Sequence, residues 1–267
     1  MPLTGMRSLP VGAHVTWAFF ALLSGTAIAA GPNSQNPGEK AADKQPPKSA
    51  AHPPTEKTAA ARPEAKPAPR KRRIITVGGG QIALDIRHWP LLGKPDAKYV
   101  FVEMFDYTCP YCRATHQAVR GAMEHYGDSL AIIALPVPLD AACNRNVGYT
   151  AAEHAEACEI GKLAVAVWRV SRRQFPPFHS WLFESSYRRT YAEARQHAAE
   201  LVGEEALREE LNLPHAANYI AKHVELYERV GAGSLPKLLF TSSTVSGSVE
   251  SATTLIDMIA REGTAAP

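Results

Sequence analysis

The feature that most constrains the fold is a long apolar run that two closely spaced cysteines follow. Residues 99–105 are apolar except for one glutamate, and most of them are β-branched or aromatic. Such a run is typical of a central strand that is buried on both faces. Cys109 and Cys112 come next, and residues 113–126 have helical composition. The sequence therefore predicts a strand, a short turn and a helix, with the cysteine pair at their junction.

Further strands and a last helix complete the predicted sheet. Residues 74–77 are β-branched and end at three glycines, which predicts a strand. A strand at residues 130–135 follows the first helix, so the crossover between the two strands is right-handed and part of the sheet is parallel. Residues 237–241 and 244–249 predict a hairpin, and residues 251–261 predict a closing amphipathic helix.

A helical segment is inserted between the two halves of the predicted sheet. From about residue 148 to residue 230 the pattern is helical, with breaks near Pro176, Gly203 and Pro214. The predicted order is therefore β-α-β, helical insert, β-β-α. This order indicates an α/β fold in which a central mixed sheet carries an inserted helical subdomain.

The N-terminal region has the composition of an export signal followed by a spacer. Arg7 precedes an uncharged apolar run that ends in small residues, so residues 1–30 are predicted to be a secretory signal peptide. The run is shorter than the ~20 residues that a membrane helix needs, which favours cleavage over a retained N-terminal membrane anchor. Residues 31–73 are rich in proline, alanine and lysine and predict a disordered spacer. The folded domain is expected at residues 74–267, in the periplasm or another extracytoplasmic compartment.

The basic charge of the chain does not indicate nucleic-acid binding. The net charge is +3, and the excess of lysine and arginine lies in residues 31–73. The basic residues 70–73 have no aromatic neighbours, which a nucleic-acid-binding face would need. We therefore expect a solvated linker end there and no nucleic-acid partner.

The cysteine pair is open to two chemical interpretations. Two cysteines at this spacing occur in zinc sites as well as in redox sites. A four-cysteine zinc site needs a second close pair, which Cys143 and Cys158 do not form. At the start of a helix, unpaired backbone N–H groups and the helix dipole favour a thiolate. The position therefore favours redox chemistry without a metal or cofactor, with Cys109 as the reactive thiolate and Cys112 as the resolving thiol.

The segment around the pair resembles a known family. Residues 101–113, which include both cysteines, resemble the active-site segment of DsbA-like proteins, the extracytoplasmic branch of the thioredoxin superfamily. A weaker resemblance extends over residues 74–261. It implies a thioredoxin fold and thiol-disulfide exchange in which Cys109 is the nucleophile and Cys112 resolves the mixed disulfide.

The same resemblance implies roles for residues around the pair. Pro236 is expected to be the cis-proline that faces the cysteines, and Leu235 stands before it where the family usually has valine or threonine. Glu103 matches a buried acid that helps proton transfer to or from the resolving thiol. A salt-bridged or edge-strand glutamate is the structural alternative. Pro110, Tyr111 and Leu235 are the expected substrate contacts.

Cys143 and Cys158 are expected to form a structural disulfide, because an exported chain with an even number of cysteines pairs them by default. The alternative is an electron relay to the first pair, for which no motif is present. His116 and His154 are interpreted as surface or packed histidines rather than ligands.

The sequence thus predicts an exported thiol-disulfide oxidoreductase that acts as a DsbA-like oxidase on cysteine-containing exported proteins. A disulfide isomerase, a dedicated reductase and a non-catalytic thioredoxin-fold chaperone or binding module are the alternatives. Familiar isomerases dimerise through a folded N-terminal domain, and residues 31–73 predict a spacer instead, so we expect a monomer. A membrane redox partner is expected to recharge the pair.

Overall fold

The computed structural model describes residues 72–262. The predicted signal peptide at residues 1–30 and nearly all of the predicted spacer at residues 31–73 lie outside the described residues. In chain order the strands are β1 Ile74–Val77, β2 Ile82–Asp85, β3 Leu91–Gly93, β4 Tyr99–Phe105, β5 Leu130–Pro136, β6 Lys237–Leu239 and β7 Thr244–Ser246. The helices are α1 Pro110–Tyr126, α2 Ala157–Val170, α3 Phe175–Glu184, α4 Tyr191–Val202, α5 Glu204–Leu211, α6 His215–Arg229 and α7 Ala252–Glu262.

A five-stranded mixed sheet in the order β3-β5-β4-β6-β7 forms the centre of this domain. β4 pairs parallel with β5 and antiparallel with β6, so it lies in the middle of the sheet. Its residues 100–105 are all buried, because helices cover both faces of a strand in this position. α1 connects β4 to β5, and β6, β7 and α7 follow the helical insert. The predicted α/β fold, with β-α-β before the insert and β-β-α after it, is confirmed.

Two short strands near the start of the domain are not predicted by the sequence pattern. β2 pairs with β1 in a separate two-stranded sheet, and Gly78 and Gly79 turn the chain between them, each with φ of 64°. Glycine adopts positive φ without steric cost, which accounts for the glycines at this turn. β3 adds an antiparallel edge to β5. Both β2 and β3 are too short to show a hydrophobic period.

The helical insert consists of α2 to α6, between β5 and β6. Most residues of α2 are buried, Leu163 and Trp168 among them, so this helix forms the centre of the insert. Pro176 and Pro177 lie in the first turn of α3, where a missing N–H leaves no intrahelical hydrogen bond unmade. The break predicted there therefore marks the start of a helix. No helix within residues 72–262 is long and apolar enough to span a bilayer.

One acidic side chain lies in the core of the sheet. Glu103 is in the middle of β4, between Ala134 of β5 and Leu238 of β6, and it is 0% exposed. Neither carboxyl oxygen has a hydrogen-bond partner among the described residues. Burial disfavours the charged form and raises the pKa of Glu103 to about 8. The carboxyl group is therefore neutral at pH 7.

A disulfide between Cys143 and Cys158 joins the loop after β5 to the first turn of α2. The two Cα atoms are 6.0 Å apart, and the sequence separation is 15 residues. Cys158 is fully buried, and its Sγ lies 3.7 Å from the carbonyl oxygen of Asp140. The bridge closes the loop that leads from the sheet into the helical insert.

Replacing both cysteines, as Cys143→Ala with Cys158→Ala, is expected to lower the free energy of unfolding by about 3 kcal/mol, because the unfolded chain gains the freedom of an open loop. Urea unfolding followed by circular dichroism measures the change. As a control, wild-type protein unfolded in a strong reductant should have the midpoint of the double variant. A double variant as stable as the oxidised wild type would contradict a structural role for the bridge.

Glu103→Gln is expected to remove a pH dependence of stability. The pKa of Glu103 is about 8 in the folded protein, and a glutamate in an unfolded chain has a pKa of about 4.3, so folding takes up a proton between these values. The wild type should therefore lose about 1.4 kcal/mol of unfolding free energy per pH unit, relative to the variant, as pH rises from ~5 to ~8. Urea unfolding of both proteins measures this difference, in which other titrating groups cancel. A difference that stays constant with pH would contradict the raised pKa.

Candidate active site

The turn between β4 and α1 is held by the carboxyl group of Asp106. Its Oδ1 accepts hydrogen bonds from the backbone N–H of Thr108, at 2.5 Å, and from the Thr108 hydroxyl. Its Oδ2 accepts the N–H of Leu139, also at 2.5 Å, in the loop after β5. Burial raises the pKa of Asp106, and these hydrogen bonds oppose the rise. The carboxyl group thus ties the turn before Cys109 to the neighbouring loop.

Cys109 is the N-cap residue of α1, and Pro110 is the first residue of the helix. The Cys112 thiol donates a hydrogen bond that lowers the pKa of Cys109 to about 7. The backbone N–H groups of Cys112 and Tyr111 act in the same direction, while burial and the charge of Asp106 oppose them. The Cys109 thiol is therefore ionised far more readily at neutral pH than a free cysteine.

Cys112 lies deeper in the protein than Cys109, with 0% of its surface exposed against 3%. Burial raises the pKa of Cys112 well above its ordinary value, although the backbone N–H of Asp106 donates to its Sγ at 3.4 Å. The two thiols therefore differ in chemistry as well as in depth, because Cys109 ionises readily and Cys112 keeps its proton.

A cavity of about 560 Å³ opens beside Cys109. Its walls come from the start of α1, the loop before β6, the loop after β7 and a short 3₁₀ turn at Ala152–His154. Pro110, Tyr111 and Leu235 line it together with Cys109. The three predicted substrate contacts and the predicted nucleophile therefore meet in one cavity.

The Leu235–Pro236 peptide bond is cis, and β6 begins directly after it. The cavity lining includes none of three other predicted site residues, Pro236, Cys112 and Glu103, all of which the structure describes. Cys143 and Cys158 also lie outside it. Glu103 pairs across the sheet with a residue of β6, so it lies in the strand next to the one that Pro236 precedes. The cavity thus contains the predicted nucleophile, whereas the predicted resolving thiol and the buried acid lie inside the protein.

Three residues of the site, Asp106, Thr108 and His154, are not predicted as functional from the sequence. The sequence does carry a signal for the first two, because an aspartate often accepts the N–H two residues later in a turn. His154 has no such signal. Its Nδ1 lies 2.6 Å from Oγ1 of Thr108, and the two residues are 46 positions apart. Only the tertiary fold brings His154 to the site.

A second group of buried polar side chains joins α1 to α3. The hydroxyl of Tyr107 lies 3.0 Å from Nδ1 of His179, and His116 stacks on Phe183 with 4.8 Å between ring centroids. Burial lowers the pKa of His116 to about 4 and that of His179 well below its usual value. Both imidazoles are therefore neutral at pH 7, and His116 is a packed core residue.

Several solved structures are similar to this fold. The catalytic domain of Proteus mirabilis ScsC has a TM-score of 0.52 and 20% sequence identity, over 65% of this chain and 88% of that one. The thiol-disulfide exchange protein alpha-DsbA2 from Wolbachia pipientis has a TM-score of 0.53 and 16% identity, over 65% of this chain and 87% of that one. BdbD from Bacillus subtilis has a TM-score of 0.52 and 18% identity, over 71% of this chain and 98% of that one.

Sequence comparison gives one short match and one long match. A curated protein, the Na(+)/H(+) antiporter NhaA 1 of Mycolicibacterium gilvum (strain PYR-GCK), is 31% identical over 83 residues. The match covers 31% of this chain and 13% of that protein, so the chain spans only a small part of this relative. The thioredoxin family model matches residues 87–257, which is more than half of the chain. The chain therefore belongs to the thioredoxin family.

Proposed function

We propose that the chain exchanges disulfides with extracytoplasmic proteins through Cys109 and Cys112, and that it acts as an oxidase by donating its disulfide. The observation that carries this proposal is the difference between the two thiols at the start of α1. The pKa of Cys109 is lowered to about 7, while burial raises the pKa of Cys112. A thiol of low pKa is a good leaving group, and its thiolate is available for attack at neutral pH. A thiol that lines the cavity and a deeper resolving thiol are what such an exchange requires.

In the proposed reaction a client thiolate attacks Sγ of Cys109 in the oxidised pair. The bond between Cys109 and Cys112 breaks, a mixed disulfide forms, and Cys112 leaves as a thiolate. Because burial raises its pKa, Cys112 then takes up a proton, and we assign Glu103, protonated up to about pH 8, as its source. A second client thiolate attacks the client sulfur of the mixed disulfide and releases Cys109. The client leaves with one disulfide, and the enzyme is left with Cys109 as a thiolate and Cys112 as a thiol. Glu103 then regains its proton from water.

The cavity beside Cys109 supports binding of an extended client segment. Tyr111 at its edge is 63% exposed and can contact a bound chain. Leu235 precedes β6, and within the described chain its N–H and C=O make no backbone hydrogen bond. These groups are therefore free to pair with a client strand added at this position. Recognition through the backbone tolerates many client sequences, whereas side-chain pockets would restrict them.

The pKa of Cys109 also supports a second candidate, a less oxidising isomerase or reductase. A nucleophile with a pKa of about 7 occurs in the reductant thioredoxin, whereas the strong oxidant DsbA has one with a pKa of about 3.5. The reduction potential of the Cys109–Cys112 pair, measured by equilibration with glutathione, separates the candidates. A potential of about −120 mV supports an oxidase, about −180 mV an isomerase and about −270 mV a reductase.

Repeated turnover requires a partner that restores the reacted pair. For the oxidase we propose a membrane redox protein that accepts the two electrons, and we propose that the enzyme meets it as a monomer. The predicted signal peptide at residues 1–30, outside the described residues, supports an extracytoplasmic and specifically periplasmic location. That compartment also keeps structural disulfides such as Cys143–Cys158 oxidised.

Cys112→Ala is expected to trap client proteins as mixed disulfides, because the thiol that resolves the Cys109 adduct is removed. Non-reducing electrophoresis after incubation with an extract of exported proteins measures the adducts, which should vanish on reduction. Cys109→Ala is the matched control and should trap no client, since Cys112 is fully buried. If Cys112→Ala forms no adducts in an oxidising extract, exchange through Cys109 is wrong.

The rate at which iodoacetamide alkylates reduced wild-type protein should rise with pH along a titration curve. Its midpoint should lie near 7, the pKa of Cys109. In Cys112→Ala the midpoint should move upward, because the thiol hydrogen bond that lowers the pKa most is lost. Mass spectrometry of the modified peptide identifies Cys109 as the site. A wild-type midpoint near about 8.5, the value of a free cysteine, would show that the helix start does not activate this thiol.

A further inference from the structure

His154 lines the same cavity as Cys109, and the reaction described so far gives it no role. It is the last residue of the turn Ala152–His154, which precedes α2. It lines the cavity of about 560 Å³ that Cys109 and Leu235 also line. The side chain is half-buried, so it is in contact with the protein and with the cavity. A client cysteine that reaches Cys109 therefore enters the cavity that this imidazole lines.

The hydrogen bonds of Thr108 fix which nitrogen of His154 carries the proton. The Thr108 hydroxyl has one proton, which it donates to Oδ1 of Asp106. Its oxygen can therefore only accept from Nδ1 of His154, which lies 2.6 Å away. A neutral imidazole with its proton on Nδ1 has a lone pair on Nε2. His154 is thus prepared to take up a second proton at Nε2.

Contacts on both sides keep His154 in place. Thr108 binds its Nδ1, and Cys158 is fixed by its disulfide at the start of the helix that follows. Before the turn, the hydroxyl of Thr150 donates to Oδ1 of Asp140 at 3.0 Å. A side chain that is already held in position loses little freedom when a client binds, which favours proton transfer in the complex.

The titratable groups around His154 come from the turn before Cys109 and from the cavity wall. Asp106 attracts a positive charge on His154, and Glu153 lines the cavity from the same turn. Tyr111 and Cys109 are the other titratable groups in the cavity wall, and Cys109 carries no charge while it is in the disulfide. A positive charge that forms on His154 during the reaction is therefore attracted by Asp106.

We propose that Nε2 of His154 takes the proton of the client thiol as the client sulfur attacks Cys109, an inference that rests on the proposed function. An ordinary cysteine has a pKa of about 8.5, so at pH 7 it is mostly protonated and cannot attack a disulfide. In this step the client S–H bond breaks, and its proton goes to Nε2. The client sulfur bonds to Cys109, and the electron pair of the old S–S bond goes to Cys112. The imidazolium then releases its proton to water.

The first test compares wild type with His154→Asn on two client peptides. The asparagine amide can donate to Thr108 as Nδ1 does, but it cannot take up a proton. One peptide contains two cysteines, and the other is the same peptide with selenocysteines, which are already ionised at neutral pH. Acid quenching followed by mass spectrometry measures how fast each peptide reduces the oxidised Cys109–Cys112 pair.

At pH 6.5, His154→Asn is expected to lower the rate at which the cysteine peptide reduces the pair by about tenfold or more. This is a modest effect for general base catalysis. Above pH ~8.5 the rates of wild type and His154→Asn with this peptide should become equal, because the client thiol is then ionised without a base. The selenocysteine peptide has no proton to lose, so its rate should change by less than about twofold, far below the effect of a lost general base. Thermal unfolding of both proteins checks that the fold is intact.

A second measurement needs no variant. Below pH ~8 the thiolate fraction of the cysteine peptide drops about tenfold per pH unit. The rate at which this peptide reduces the oxidised wild-type pair should fall much less steeply. A rate that follows the thiolate fraction overturns the proposal, even if His154→Asn fails to fold.

The outcomes of the variant test are distinguishable. If His154→Asn matches wild type with both peptides, or slows both equally, proton transfer by His154 is wrong while disulfide exchange stands. If wild-type protein reacts with neither peptide, the proposed function fails, and the role of His154 fails with it. A loss confined to the cysteine peptide at low pH supports the proposal.

Discussion

The active site depends on one buried carboxyl group whose hydrogen bonds are satisfied. Burying a carboxylate is strongly unfavourable unless donors replace the water that it loses. Asp106 has donors on both oxygens, from Thr108 on one side and from Leu139 on the other. Because Leu139 follows β5, these bonds also fix how the end of β4 meets the neighbouring loop. The same turn places Cys109 at the start of α1 and orients the Thr108 hydroxyl toward His154.

Burial and local hydrogen bonds give the groups of the site opposite tendencies to ionise. Glu103 and Cys112 are surrounded by the core, and burial raises both pKa values. Cys109 is also buried, but donors from Cys112 and from the first turn of α1 lower its pKa from 9.0 to about 7. That shift stabilises the thiolate relative to the thiol by roughly 3 kcal/mol. At pH 7 it favours the reduced pair over the disulfide by much less, because the thiol form is also populated at that pH. The stability of the Cys109 thiolate therefore depends first on the Cys112 thiol and then on the backbone N–H groups at the start of α1.

The sequence predicts the parts of the molecule that local patterns encode. The apolar run of β4, the cysteine pair after it and the helical insert are each visible in a short window. β2 and β3 are not, because three or four residues have no measurable period and these two strands lack the run of β-branched residues that marks β1. Likewise Asp106 and Thr108 form a local turn, whereas the contact between Thr108 and His154 spans 46 positions. Contacts of that kind depend on how the insert packs on the sheet, which a single sequence does not reveal.

The position of the Cys143–Cys158 bridge favours a structural role over an electron relay. A relay requires one of its sulfurs to exchange with Cys109, and therefore an attacking thiolate that can reach the cavity. Cys158 is fully buried, and within the described chain neither bridge cysteine lines the cavity. The bridge instead restrains the loop that carries His154, so that its imidazole stays within hydrogen-bonding distance of Thr108. The covalent bond that stabilises the entry into the insert thereby also restrains one wall of the active site.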